Sequence, residues 1–265
     1  MGLRNATVPK VTRRTALMAL WAGLWNGAFA GAHEEFPLMI RGVRQNLRRR
    51  QGNATAPGHG RRVLLASGDG GFHPFGDAMA VKMASWGYDV LQFDSQHYLR
   101  SFTGDSTLTE QQVREDFATL LAELRGDGLP VVLMGWSAGA ALAVLAGAYE
   151  PVRVHLSGVV AVALPVEGVL GWRWLDNLQF LPGFRAAGPY FDVTPSLREL
   201  SPTPLLLLQS DNDRWVSEQD YQHLVASAGD PKRTIFLEAG GHSFPDARPE
   251  FFDALGDGLG WIEGQ

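Results

Sequence analysis

The sequence predicts an α/β fold built on a mostly parallel sheet with helices on both faces. Three observations predict it. Short apolar runs with no polar interruption recur between helical patterns, as strands buried on both faces of a parallel sheet require. One of these runs, Val131 to Met134, passes through Gly135-Trp136-Ser137-Ala138-Gly139 straight into an Ala/Leu-rich helical stretch. Two later runs, near residues 205 and 233, end in loops that carry aspartates and a histidine.

Composition sets the outer bounds. The chain has 265 residues, 45% hydrophobic and 19% charged, with 31 Gly and 15 Pro, which suits one large α/β domain or two small ones. A net charge of −5, with no basic tract beyond Arg48-Arg49-Arg50, argues against a nucleic-acid partner. With no cysteine, disulfides, thiolate zinc sites and a cysteine nucleophile are excluded, while the redox compartment stays open. The seven histidines have no H-E-x-x-H or clustered ligand spacing, so no metal and no cofactor is predicted.

Residues 1–30 read as a leader rather than as part of the fold. Lys10, Arg13 and Arg14 precede an apolar run from Ala16 to Phe29 that closes on Ala28-Phe29-Ala30, the order of a secretory signal peptide. The run is short and interrupted by glycine for a membrane span. Thr12-Arg13-Arg14-Thr15-Ala16-Leu17 resembles a twin-arginine export motif, with Ala16 where a Phe is usual. An exported, periplasmic protein is expected. Without residues 1–30 the chain carries 19 basic and 28 acidic side chains, a net of −9, a field that favours a cationic substrate group.

The elements follow in order. Residues 31–60 are expected to be an N-terminal extension, with an edge strand at Phe36–Val43 and a turn at Ala54–Gly60. From residue 61 to 265 the α/β domain proper is predicted. It opens with a strand at Arg61–Ala66 that runs into the glycine loop Ser67-Gly68-Asp69-Gly70-Gly71-Phe72. Glycines there let backbone N–H groups approach a substrate oxygen. The loop has neither Walker nor G-x-G-x-x-G spacing, so phosphate binding of those kinds is not predicted.

A helix from Phe75 to Trp86 ends at Gly87, and Tyr88–Phe93 is the next strand. Asp94-Ser95-Gln96-His97-Tyr98 then lies on the ligand side of the sheet, where His97 reads either as a pocket residue or as a solvated loop histidine. Thr109-Glu110-Gln111-Gln112 forms a capping box for a helix striped by Val113, Phe117, Leu120, Leu121 and Leu124 and ended by Gly126. The strand and helix around Ser137 come next, then a buried strand within His155–Leu164.

Residues 166–201 break the rhythm and are expected to form a short cap. Their aromatics, Trp172, Trp174, Phe180, Phe184, Tyr190 and Phe191, either line an apolar pocket or anchor a long loop to the core. A strand at Thr203–Gln209, a helix from about Glu218 to Ala228, a strand at Arg233–Glu238 and a helix from about Pro249 to Trp261 complete the domain.

Three strand ends now carry Ser137, then Asp211 or Asp213, then His242. A serine hydroxyl is a weak nucleophile and needs a base, and the imidazolium so formed needs a carboxylate. That order, with a G-x-S-x-G turn between strand and helix, is the pattern of the α/β-hydrolase fold. Ser210-x-x-Asp213-x-x-Val216 fits the usual turn and favours Asp213, with Asp211 as the alternative acid that would cap the turn. The Ala138 N–H is expected as one oxyanion donor, with the second at Asp69 or Gly70. Trp136, Phe72, Asp69 and His97 are the candidate substrate contacts.

Ser67-Gly68-Asp69-Gly70-Gly71-Phe72, Phe93-Asp94-Ser95-Gln96-His97-Tyr98, Gly135–Gly139 and Gly241-His242-Ser243-Phe244 resemble the VirJ/AcvB family of bacterial virulence proteins, over about residues 62–262. The resemblance implies an exported α/β-hydrolase. Its AcvB branch implies hydrolysis of the aminoacyl ester of lysyl-phosphatidylglycerol in the periplasm, and its VirJ branch a link to type IV secretion. Phe72 stands where that family usually has Trp, and the 166–201 segment is long, which leaves the substrate more open than the chemistry. On this resemblance Asp69 would pair with a substrate ammonium, unless it is only a turn former before Gly70.

The expected function is an exported serine hydrolase that cleaves a carboxylic ester, foremost that of an aminoacyl-phospholipid. A lipid ester would bring the chain into peripheral contact with membrane lipid. The alternatives are a general esterase, lipase or thioesterase, and a non-catalytic partner of the same fold in a secretion or envelope complex.

Overall fold

Eight strands form a single sheet, in the order Glu34–Ile40, Val43–Arg50, Asp89–Phe93, Arg62–Ala66, Val131–Trp136, Leu156–Val162, Leu205–Ser210 and Lys232–Leu237. The computed structural model describes residues 33–124, 128–180 and 186–265. The expected leader at 1–30, the helix stop at Gly126 and Phe184 lie outside the described residues. The strands β3 (Arg62–Ala66), β4 (Asp89–Phe93), β5 (Val131–Trp136), β6 (Leu156–Val162), β9 (Leu205–Ser210) and β10 (Lys232–Leu237) run parallel to one another. In a parallel sheet every strand ends on the same edge, so the loops after β3, β4, β5, β9 and β10 open toward one another. Burial explains the apolar runs: all residues of β3, β5 and β9 are buried.

Two separate cores cover the two faces. On one face, α1 (Pro74–Ser85) and α8 (Arg248–Glu263) bring Phe75, Met79, Met83, Phe251, Leu255 and Ile262 onto the sheet. The other face carries α2 (Ser95–Ser101), α3 (Glu110–Leu124), α4 (Ala138–Gly147) and, beyond the four-residue α5 (Glu150–Arg153), α6 (Thr194–Glu199) and α7 (Glu218–Ser227). All ten residues of α4 are buried, which matches a helix that is apolar all round rather than on one stripe.

The N-terminal region differs from the expected single edge strand. β1 (Glu34–Ile40) and β2 (Val43–Arg50) form an antiparallel hairpin around Arg41-Gly42, and β2 pairs antiparallel with β4. The turn takes a left-handed backbone at both residues, φ 48° at Arg41 and 77° at Gly42, the pattern of a two-residue hairpin. Val43-Arg44-Gln45-Asn46-Leu47-Arg48-Arg49-Arg50 hides as a strand because its pattern is carried by Arg and Gln. Arg49 hydrogen-bonds Asp89, and Arg48 and Arg50 lie within ion-pair range of Asp77.

The 166–201 segment divides into β7 (Glu167–Val169) paired antiparallel with β8 (Tyr190–Asp192), a 3-10 helix at Trp174–Phe180, and α6. Its last part does not cap anything: Val193, Leu197 and Leu200 are buried in the core.

The turn between β5 and α4 is sterically tight. A Cβ on Gly135 would stand 2.1 Å from the Gly139 carbonyl oxygen, and one on Gly139 would stand 2.2 Å from that of Ser67. Backbone cannot yield as a side chain can, so Gly139→Ala should cost about 3 kcal/mol or more in denaturant unfolding. Gly260, exposed within α8 with open space at its Cβ position, is the opposite case. Gly260→Ala should stabilise by about 0.5–1 kcal/mol in the same measurement.

Candidate active site

Ser137 stands between β5 and α4 at φ 57° and ψ −124°, a region costly for a residue with a Cβ. The surrounding backbone holds it there. Its N–H donates to the Val162 carbonyl at 2.9 Å, and its own carbonyl accepts from Ala140 and Ala141 at 2.9 and 3.2 Å. Ala138 is the first residue of α4, where a helix N–H has no acceptor within the helix.

Asp213 and His242 meet across two loops. The His242 Nδ1 and Asp213 Oδ2 are 2.7 Å apart, and the Asp213 side chain is fully buried. Asp213 also accepts from Gln209 Nε2 at 3.0 Å and from the Trp215 N–H at 2.9 Å. Burial alone would push this carboxyl up. Hydrogen bonding and charge from His242, with the Trp215 and Gln209 donors, outweigh it and hold the acid below the usual carboxylate range. Asp211 takes a different position: it is exposed, and its Oδ1 accepts from the Ala239 N–H at 2.9 Å, tying the loop after β9 to the loop after β10. Ser210 Oγ adds a bond to the Ala239 carbonyl at 2.6 Å. Of the two candidate acids, Asp213 faces the histidine and Asp211 closes the loop.

Trp136 supports the histidine from the Ser137 turn. Its Nε1 donates to the His242 carbonyl at 3.0 Å, and its ring packs 5.6 Å from the imidazole and 5.3 Å from Phe75. Trp136, Ser137, Ala138, His242, Asp69 and Gly70 all line one cavity of about 540 Å³.

The glycine loop is fixed beside it. Ser67 Oγ accepts from the Ser95 N–H at 3.0 Å, Gly71 N–H donates to the Gly68 carbonyl at 3.0 Å, and Gln96 Nε2 holds the Asp69 carbonyl at 2.6 Å. Gly71 needs its φ of 72°, which glycine adopts without strain. The Asp69 carboxylate accepts from Gln179 Nε2 of the 3-10 helix. Burial dominates its ionisation and raises its pKa, against the stabilising contributions of Gln179, His242 and nearby N–H groups.

Other expected contacts fall elsewhere. His97 lies on α2 rather than on a loop, is exposed, and puts Nε2 3.0 Å from the Arg44 carbonyl. It braces β2 and does not line the cavity, because Asp94 caps a helix that turns the side chain outward. Phe72 also faces away, stacked under the Arg48 guanidinium at 3.9 Å. Among the described aromatics of 166–201, only Tyr190 lines the cavity. Trp172 and Phe191 are core residues, and Trp174 is 72% exposed. Sequence reasoning missed His73, Gln179 and Glu167, which line the cavity. His73 was findable as an N-cap before Pro74; Gln179 sits in the 3-10 helix and Glu167 opens the three-residue β7, elements too short to give a periodic signal. Among the described residues no group of three or more His, Asp or Glu could hold a metal, and no helix is long and apolar enough to cross a membrane.

Parallel strands feeding these loops into one cavity make this an α/β-hydrolase fold, and solved structures agree. A membrane phospholipase A described as a bacterial virulence factor superposes with a TM-score of 0.67 at 16% identity, covering 94% of this chain and 93% of its own. Est1E from Butyrivibrio proteoclasticus gives 0.65 at 12%, over 87% and 99%. An esterase domain of a Rhodothermus marinus protein gives 0.60 at 21%, over 88% and 99%.

Residues 61–176 match the family model of the bacterial virulence protein VirJ, which bears out over that stretch the resemblance carried by the glycine loop and the serine turn. Asp213 and His242 lie beyond the match. Two uncharacterized proteins of Mycobacterium tuberculosis, MT2364 and Rv2307c, are each 26% identical over 199 residues, or 72% of this chain. The chain spans 66% of the length of these relatives.

The raised pKa of Asp69 has a consequence for stability. A carboxyl that burial makes harder to ionise stabilises the fold while neutral, and that contribution is lost as pH rises through its folded pKa. Asp69→Asn keeps an acceptor for Gln179 and removes the charge. In thermal unfolding the variant should melt above wild type at about pH 7–8, with the gap closing toward about pH 3, where the carboxyl is neutral in both states.

Proposed function

We propose that this protein is a serine hydrolase that cleaves carboxylic esters. The observation that carries the reading is the 2.7 Å pairing of buried Asp213 with His242, which lines one cavity together with the strained Ser137. The Ser137 hydroxyl attacks the acyl carbon while His242 Nε2 takes its proton, and Asp213 balances the imidazolium through Nδ1. The oxyanion faces the Ala138 N–H and a second N–H at Asp69 or Gly70. Collapse expels the alcohol, which takes the proton from His242, and water then releases the acyl group by the same steps in reverse roles. The scheme draws on no cofactor.

The substrate class proposed is an aminoacyl ester, foremost an aminoacyl-phospholipid. Asp69 supports it: a carboxylate that burial disfavours, beside the nucleophile, gains most from a paired ammonium. The chain is proposed to act outside the cytoplasm, on the strength of the basic, apolar and A-x-A order of residues 1–30.

Labelling with a fluorophosphonate should mark the wild type and not Ser137→Ala; an unmarked wild type would sink the enzyme reading. In ester turnover, Asp213→Ala should lose about 10³–10⁴-fold in kcat, whereas Asp211→Ala should stay within about threefold apart from a lower Tm. Asp69→Asn should lower the kcat/KM ratio of a lysyl ester to an uncharged acyl ester by about tenfold or more. An unchanged ratio would remove the ammonium role.

A further inference from the structure

Strand β9 reads Leu205-Leu206-Leu207-Leu208-Gln209-Ser210, every residue of it is buried, and Gln209 is 1% exposed. A buried amide is costly unless hydrogen-bonded, so a glutamine in an otherwise apolar strand has a physical task. Side chains alternate along a strand, which puts Gln209 on the face of Leu205 and Leu207, the face that carries α4. Its Nε2 donates to Asp213 Oδ2 at 3.0 Å and to the Ser210 carbonyl at 3.3 Å. A flipped amide would set Oε1 against a carboxylate and a carbonyl, so Nε2 toward Asp213 is the orientation that chemistry allows.

Asp213 Oδ2 thus has two donors. His242 Nδ1 lies 2.7 Å away and Gln209 Nε2 3.0 Å, while Oδ1 accepts from the Trp215 N–H at 2.9 Å. The torsion that turns a carboxylate about its Cβ–Cγ bond is soft, and the Trp215 bond fixes only one of the two oxygens. Gln209 grips the oxygen that faces the imidazole, and does so from a strand flanked by β6 and β10 rather than from the loop. A neutral donor suits this task. A guanidinium or ammonium would satisfy the carboxylate's charge itself and compete with the imidazole, whereas an amide leaves that charge in place. The ionisation of Asp213 agrees: burial pushes its carboxyl up, His242 does most to bring it down, and Gln209 contributes least of its donors. What the amide supplies is direction more than charge.

We infer that Gln209 is a positioning residue of this site: it holds the Asp213 carboxylate in the orientation that meets His242 Nδ1, and so holds the imidazole itself. That this orientation serves catalysis rests on the hydrolase reading; the orientation does not. An ionised Asp213 can only accept, so its bond to Nδ1 keeps the neutral ring protonated there and leaves Nε2 as the base. A carboxylate able to turn would let ring and tautomer drift, a loss read in turnover and not in substrate binding.

The test pairs a spectroscopic readout with turnover. In proton NMR of the full chain, the Nδ1–H held by Asp213 should give a low-field resonance, identified by its absence in His242→Gln. Gln209→Met keeps the side-chain volume and removes the donor. In that variant the resonance should broaden or vanish through exchange, with the fold intact by circular dichroism. In ester turnover the same variant should lose about 10–100-fold in kcat with KM within about twofold, the size expected when one hydrogen bond to a charged group goes. Should Gln209→Met not fold, Gln209→Glu decides. Its neutral carboxyl still donates and its ionised form cannot, so its kcat relative to wild type should fall as pH rises from about 5 to 8, with Asp213 and His242 the ionisable groups that face it. No low-field resonance in the wild type, or an unmoved resonance or unchanged kcat in a folded Gln209→Met, overturns the positioning role, as does a pH-independent ratio for Gln209→Glu. Loss of the resonance in Gln209→Met, beside a wild type that turns over no ester, would keep the orienting bond and overturn the hydrolase reading; wild-type turnover with the resonance unmoved in Gln209→Met would do the reverse.

Discussion

The close approach of three backbones around Gly135 and Gly139 is the constraint on which the rest depends. The carbonyl oxygens of Gly139 and Ser67 lie where side-chain carbons would otherwise be, so β5, β3 and the start of α4 sit closer than ordinary residues allow. That proximity forces the chain to reverse within one residue, and the residue is Ser137, at a backbone conformation it would not adopt in isolation. The cost is covered by the burial of α4 and β5, whose every side chain is enclosed. The serine is presented because the core behind it is fully packed.

The strain is not confined to the serine. Ala163 and Phe244 also adopt positive φ, at 51° and 50°, and both follow strands that end on the same edge. Phe244 is fully buried and packs against Phe75 and Phe251, so the turn after His242 is fixed by side-chain contacts. Ala163 follows β6, next to the strand that delivers Ser137. Departures from easy backbone geometry thus gather at the edge where the parallel strands end, and the Arg41 turn stands there too, because β2 runs antiparallel to β4 with Leu47 opposite Phe93.

Much of this was legible from residues alone, for a physical reason. A buried parallel strand has no solvent face, so its apolar run is unbroken, and β3, β5, β6 and β9 announce themselves. The strand ends carrying Ser137, Asp213 and His242 follow from that, because a parallel sheet sends them to one edge. The preference for Asp213 over Asp211 rested on spacing, and the geometry puts Asp213 against the imidazole. What stayed hidden has equally physical causes. In β2, arginines both pair with Asp89 and approach Asp77, so their charge conceals a strand. His97 read as a loop residue because the Asp94 cap makes a helix of only seven residues, too short for a periodic signal. The aromatics of 166–201 divide among core, surface and cavity, and nothing in a run without period distinguishes Trp172 from Trp174.

Trp136 occupies the first variable position of the G-x-S-x-G turn, and its indole N–H holds the carbonyl of His242. The residue next to Ser137 is therefore a strut for the loop that carries His242, rather than a wall chosen only for what it touches in the cavity. Two chain segments 106 positions apart are fastened by one side chain whose ring also bears on His73 and Phe75. A chain of this fold with a small residue at that position would have to secure its histidine loop by other means, and the identity of this one side chain sets how rigidly His242 and Ser137 are held together.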